Sequence, residues 1–149
     1  MIEIIFFTIV FSISYFIMEF MAWFSHKYIM HGFLWKLHKD HHKKDHSSRF
    51  ERNDLFFIFY AVVSISNIYA WSEYSFWAGL PIGTGIFAYG LSYFIVHDIF
   101  IHQRFKIFKK TNNKYAKGLR RAHKIHHKNI NKNGGKCFGM LWVPLKYFR

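Results

Sequence analysis

Three long apolar runs alternate with polar, histidine-bearing stretches along the chain. The first, residues 4–24 (IIFFTIVFSISYFIMEFMAWF), is interrupted only by Glu19 and a few hydroxyls. The second covers residues 55–71. The third covers residues 76–96 and contains Pro81 together with Gly79, Gly83, Gly85 and Gly90. Each run is about the length a helix needs to cross a hydrocarbon core of roughly 30 Å. Glycine and proline are better tolerated in membrane helices than in soluble ones, so the third run stays a candidate span although they loosen it. Three crossings are expected, or four if Pro81 divides the third run into a short re-entrant piece and a longer helix. The expected fold class is all-α: an integral-membrane helical bundle with a histidine-rich helical cap, one domain over residues 1–149. Residues 4–24 lack a basic leading segment and a small-residue cleavage site and run straight into the first histidine motif. They therefore read as a retained span and not as a signal peptide.

The charge pattern sharpens this picture. The formal net charge is +13, which raises the question of a nucleic-acid partner. All 21 Lys and Arg, however, fall in two windows, Lys27–Arg52 and Arg104–Arg149, and the second has no Asp or Glu. A nucleic-acid reader needs a basic face on a soluble fold, whereas a membrane protein concentrates Lys and Arg in its cytoplasmic segments. The second description fits, and no nucleic-acid partner is expected; attraction to anionic headgroups is. The connection Ser72–Ser75 is short and has no basic residue, so it reads as a turn on the non-cytoplasmic side. The N-terminus is then outside and both basic windows lie in the cytoplasm. The lone Cys137 excludes an internal disulfide and a cysteine-based metal site.

Ten of the 11 histidines fall in four motifs: His26-x4-His31, His38-x2-His41-His42, His97-x4-His102 and His123-x2-His126-His127. Random placement would give roughly 0.06 copies of H-x2-H-H, so two copies are not an accident. On a helix, positions i, i+3 and i+4 share a face, so each H-x2-H-H would present three imidazoles in one direction. The H-x4-H pairs are less regular. Five α-helical residues turn about 500°, roughly 140° off the starting face, so these pairs need a local distortion or metals between their rings. Both pairs sit where an apolar run meets a basic segment, and an even number of crossings between them brings all four motifs to one membrane face. Ten imidazoles are too many for one tetrahedral zinc. They suit two metals of higher coordination, although imidazole alone does not choose among Fe, Zn, Cu and Ni. Such a shell is neutral, so carboxylates should stand behind the rings to orient and offset them. The candidates are Asp98, Asp40 and Glu19, the last seven residues before His26. His46 lies outside the motifs and reads as solvated or structural.

Taken together, these residues resemble the fatty-acid hydroxylase superfamily, and within it the bacterial β-carotene 3-hydroxylases. The resemblance is carried by Met18-Glu19, Ala22-Trp23-Phe24, the run His26–Phe33, Trp35 and Asn53-Asp54-Leu55. It continues through Tyr93-Phe94, His97-Asp98, His102-Gln103-Arg104, Ala122-His123 and His126-His127. It implies two iron ions, with zinc as a substitute, and O2 and two electrons from ferredoxin or another reductase. It also implies an apolar substrate drawn from the membrane, a carotenoid hydroxylated at carbon 3 of its β-ionone rings, and a site on the cytoplasmic face of a bacterial inner membrane. The chain departs from that branch at Ile99-Phe100-Ile101 and at Phe105-Lys106, where smaller residues and a Trp-Pro pair are expected. The alternatives are a hydroxylase or desaturase of fatty acyl chains or sterols, and a membrane metal-binding or transport protein. Transport would favour ionisable groups in mid-span, and residues 55–96 contain only Glu73.

Overall fold

The computed structural model describes residues 1–130 and 134–148. Its elements are five α-helices, with no strand among the described residues: α1 (Ile2–Phe24), α2 (Trp35–His42), α3 (Asp54–Tyr74), α4 (Gly79–Tyr93) and α5 (Lys114–Lys128). Two π-helical segments follow α1 and α4 directly, Ser25–Phe33 and Phe94–Ile101, and a 3-10 turn closes the chain at Leu145–Phe148. Counted with their π-helical continuations, three helices are long and apolar enough to cross a membrane: Ile2–Phe33, Asp54–Tyr74 and Gly79–Ile101. The fourth crossing is not needed. Pro81 sits in the first turn of α4, where the backbone N–H groups have no helical partner to lose.

The chain divides into two compact units. One comprises Met1–Met18 and Asp54–Ser92. The glycines of α4 do not loosen this unit; they let helices approach closely. A Cβ on Gly83 would lie 2.7 Å from the Ser64 carbonyl of α3, and one on Gly85 would lie 2.7 Å from the Phe11 carbonyl of α1. Small residues at helix contacts are how apolar spans pack when no hydrophobic force drives them together. The Ser64 hydroxyl donates to the Gly83 carbonyl at 2.7 Å, and Tyr15 reaches Ser92 at 3.0 Å. Other hydroxyls satisfy themselves on their own helix: Thr8 on Ile4, Ser14 on Val10 and Thr84 on Leu80. The turn between α3 and α4 falls at residues 75–78, three residues later than the sequence suggested. It is set by Ser75 at φ 55°, while Phe76 N–H returns to the Ala70 carbonyl to end α3.

The second unit comprises Glu19–Asn53 and Tyr93–Arg149 and holds every histidine. Its apolar core is Leu119, Ala122, Val143 and Tyr147, with Val96, Ile101, Ile125, Cys137 and Phe148 packed against it. Asn113 caps α5 by accepting from Ala116 N–H at 3.0 Å. Arg120 then ties α5 to the chain after the second π segment, donating to the carbonyls of Phe100 (2.7 Å), Phe108 (3.2 Å) and Lys109 (3.1 Å).

Candidate metal centre

The irregular H-x4-H spacing has a local structural answer. His26 and His31 lie in the first π segment, and His97 begins an i→i+5 bond, His102 N–H to His97 O at 2.8 Å, in the second. A π-helix has about 4.4 residues per turn, so five residues advance about 410° and the two rings come back within about 50° of one face. The first segment ends where Gly32 breaks the helix at φ −110°, ψ −127°, and α2 begins two residues beyond Phe33.

The ten motif histidines gather into two groups. Ring nitrogens of His26, His31, His38, His42 and His126 all lie within 4.8 Å of one another and could hold one ion; those of His41, His97, His102 and His123 do the same for a second. His127 joins the second group through its Nε2, 2.8 Å from the Nε2 of His123. The expectation that each H-x2-H-H points three imidazoles one way is therefore corrected. His38 and His42 serve the first group and His41 the second, while His123 and His127 serve the second and His126 the first. The reason is angular. Relative to position i on an α-helix, i+4 lies about 40° to one side and i+3 about 60° to the other, so the motif splays across two positions. Each half of the repeat thus lends its i+3 histidine to the other half's group. His42 and His127 stack between the groups, with ring centroids 4.3 Å apart.

The contacts of the two ring nitrogens fix what these groups can bind. His31 Nδ1 faces the Ile130 carbonyl at 2.8 Å and His126 Nδ1 the Lys136 carbonyl at 3.1 Å. A carbonyl only accepts, so both Nδ1 atoms carry the proton and both Nε2 atoms carry a bare lone pair. Yet those two Nε2 atoms are 3.2 Å apart. The same holds for His26, which donates from Nδ1 to the Phe138 carbonyl at 2.9 Å while its Nε2 lies 3.1 Å from that of His38. No proton is available to bond such pairs, and a shared cation makes them favourable. At a metal–nitrogen distance of about 2.1 Å, neighbouring ligands at right angles stand about 3.0 Å apart and tetrahedral ones about 3.4 Å. The Nε2 separations of 2.8–3.2 Å match the right-angle case, as expected of five- or six-coordinate metals. The donor set fits two metal ions of five or six coordination.

Burial keeps the rings neutral and ready to ligate. It holds the pKa of His38, His102 and His126 at about 3 and that of His127 at about 4, and pushes those of His41 and His123 well below the usual value.

The carboxylates behind the rings are only partly those expected. Asp98 Oδ2 faces His97 Nδ1 at 3.4 Å. Asp40 and Glu19 have their hydrogen bonds one step farther out. Asp40, fully buried, accepts from the Arg52 N–H at 2.7 Å and its guanidinium at 3.3 Å, with His46 at 3.5 Å. Burial alone would raise its carboxyl pKa, but the Arg52 amide and guanidinium outweigh that and hold it below the ordinary value. Asp40 thereby fixes the loop whose Asn53 and Glu51 receive His38 Nδ1 (2.6 Å) and His41 Nδ1 (2.9 Å). Glu19 accepts from the N–H groups of Met140 (2.9 Å), Leu141 (3.0 Å) and Trp142 (2.9 Å). It fixes the segment whose Phe138 and Lys136 carbonyls receive His26 and His126. Sequence reasoning missed Glu51 as a histidine partner; it lies in a loop, nine residues past the second motif, where no periodicity points to it. His46 joins neither group.

A sequence model of the family described as Fatty acid hydroxylase matches residues 11–144. The chain is 42% identical over 127 residues to a Pantoea ananas protein named beta-carotene hydroxylase, an alignment covering 85% of this chain and 71% of that one. A Paracoccus protein of the same name (strain N81106 / MBIC 01143) is 34% identical over 132 residues, covering 86% and 78%. The chloroplastic beta-carotene 3-hydroxylase 2 of Arabidopsis thaliana is 35% identical over 130 residues, covering 85% of this chain and 42% of the plant protein. No solved structure matches the chain.

Proposed function

The chain belongs to the fatty acid hydroxylase family, and from that premise we propose that it hydroxylates carbon 3 of the β-ionone rings of carotenoids, converting β-carotene through β-cryptoxanthin to zeaxanthin. Each turnover consumes one O2, two electrons and two protons, inserts one oxygen atom into a C–H bond and releases water. The observation that carries this reading is the pair of histidine groups, whose bare Nε2 atoms stand at the spacing two ligated metals require. His26, His31, His38, His42 and His126 would hold one iron, and His41, His97, His102, His123 and His127 the other. The bound pair supplies oxygen activation, which no side chain of this protein can provide. The chain's own residues hold the rings in one tautomer and orientation. They do so through the carbonyls of Phe138, Ile130 and Lys136 and through Asn53, Glu51 and Asp98. Asp40 and Glu19 keep those acceptors in place.

A substrate as apolar as a carotenoid reaches such a site from the bilayer, in keeping with three candidate spans. The bulk at Ile99–Ile101 does not oppose this reading. Phe100 is buried with the Arg120 guanidinium 4.0 Å from its ring centroid, and Ile101 packs on the α5 core, so both serve packing. Electrons come from an external donor such as ferredoxin. The cytoplasmic face of a bacterial inner membrane suits that supply and the two basic windows.

Expression in a β-carotene-producing bacterium with a competent reductase, followed by chromatography of the pigments, tests the reading. β-Cryptoxanthin and zeaxanthin are expected. Unmodified β-carotene alongside hydroxylated acyl chains would move the substrate to lipids and keep the family chemistry. Neither product, in cells whose protein carries iron, would favour metal handling.

A further inference from the structure

The two histidine groups are backed by different chemistry. Behind the first group the acceptors are neutral: the carbonyls of Phe138, Ile130 and Lys136, and the Asn53 amide oxygen. Behind the second group a circuit of charged side chains closes on itself. His41 Nδ1 donates to Glu51 Oε2 at 2.9 Å, and the same oxygen accepts from Arg104 Nη2 at 2.7 Å. Arg104 Nε lies 2.9 Å from Asp98 Oδ1, and Asp98 Oδ2 lies 3.4 Å from His97 Nδ1. His97 Nε2 then returns to within 3.2 Å of His41 Nε2, across the position where the second metal would sit. The side chains of this circuit are 14% exposed or less.

A carboxylate that accepts Nδ1–H draws the proton toward itself and leaves more electron density on Nε2, making the imidazole a stronger donor to a cation. A charged acceptor does this more strongly than a carbonyl, and little water is present to screen it. The Nδ1 acceptors behind the second group are thus two carboxylates sharing one guanidinium, whereas those behind the first group are carbonyl and amide oxygens. Arg104 donates to Glu51 from Nη2 and pairs in charge with Asp98 through Nε, so one guanidinium braces both carboxylates.

Resting on the dinuclear reading above, we infer that the two metal positions are inequivalent. Glu51 is the positioning residue that makes the His41 group the tighter of the two, and Arg104 is its brace. The substitutions that isolate the effect are isosteric. Glu51→Gln removes charge behind the second group, and Asn53→Asp adds charge behind the first.

Protein purified anaerobically in detergent is loaded with 57Fe and mixed with a ferrous chelator, and iron release is followed by absorbance. The wild type should release two irons per chain in two phases of equal amplitude. Glu51→Gln should accelerate the slow phase about 10–100-fold and leave the fast one within about twofold. Asn53→Asp should slow the fast phase and narrow the gap, and it needs no charge removed from the folded core. In Mössbauer spectra, Glu51→Gln should move one of two ferrous doublets and Asn53→Asp the other. A single release phase in the wild type overturns the inference, as does acceleration of both phases by Glu51→Gln, or faster release in Asn53→Asp. Fewer than two irons per chain in active protein defeats the dinuclear reading itself.

Discussion

The two halves of the histidine repeat carry the same motifs and reach matching geometry by different routes. In the first half six residues separate His31 from His38, and the chain passes from π segment to α2 through Leu34 alone. In the second half twenty residues separate His102 from His123. There the chain turns at Gln103, φ 53°, runs through a loop, restarts at the Asn113 cap and is tied back by Arg120. Spacing within a motif encodes local geometry: five residues demand a π turn, and three and four demand an α-helix. Spacing between motifs is free, provided another contact rebuilds the position. The first half gets its alignment from covalent continuity and the second from a guanidinium on three carbonyls.

The exchange of His41 and His126 allows the sharpest break. His126→Ala takes a ligand from the group built mainly by the first half, and His41→Ala takes one from the group built mainly by the second. Each should drop turnover below detection and lower iron from two toward one per chain. The retained iron should give a different Mössbauer doublet in each variant. If His126→Ala instead disturbs the iron left intact by a first-half variant such as His38→Ala, the halves do not exchange ligands.

Acidification should treat the halves alike. The folded pKa of His38, His102 and His126 is held near 3 by burial, below the 6.5 of a free imidazole. Protonation therefore favours the unfolded chain: these groups contribute no pH dependence above about pH 7, and stability and metal retention fall as pH drops below about 6.5 toward 3. Iron content measured against pH should decline over that window for both groups. Retention that improves on acidification contradicts neutral buried rings.

Arg120→Ala should separate the halves again, with a smaller effect. It removes three carbonyl contacts and the Phe100 ring contact from the second half only, a loss on the order of 2 kcal/mol. Thermal unfolding in detergent should shift down by several degrees. His46→Ala should do least, within about 0.5 kcal/mol and with activity kept, because His46 stands beside Asp40 and outside both groups.

Much of this was legible in the chain. The apolar runs located the α-helical parts of three candidate spans to within a few residues, and the motifs named ten histidines that the fold brings into two adjoining groups. The misfit of H-x4-H with an α-helix announced a distortion, and the π segments are that distortion. The ligand exchange was less legible: a shared helical face is 100° wide here, enough to serve two metals, and periodicity does not say where the boundary falls. Glu51 was hidden because a loop residue has no period, and Asn53, although part of the family resemblance, was not read as the partner of His38. Asp40 and Glu19 were found by charge in an apolar or histidine setting, which marks an acid as engaged but not with what; both engage backbone one step behind the rings. The α4 glycines read as weakness because close approach shows only in three dimensions.

The most direct test of a shared dinuclear centre is a crystal structure of the iron-loaded protein with anomalous data at the iron edge. Two peaks are expected. One should be ligated by Nε2 of His26, His31, His38, His42 and His126, the other by Nε2 of His41, His97, His102, His123 and His127. A single peak, or two peaks each ligated only from its own half of the repeat, would contradict it.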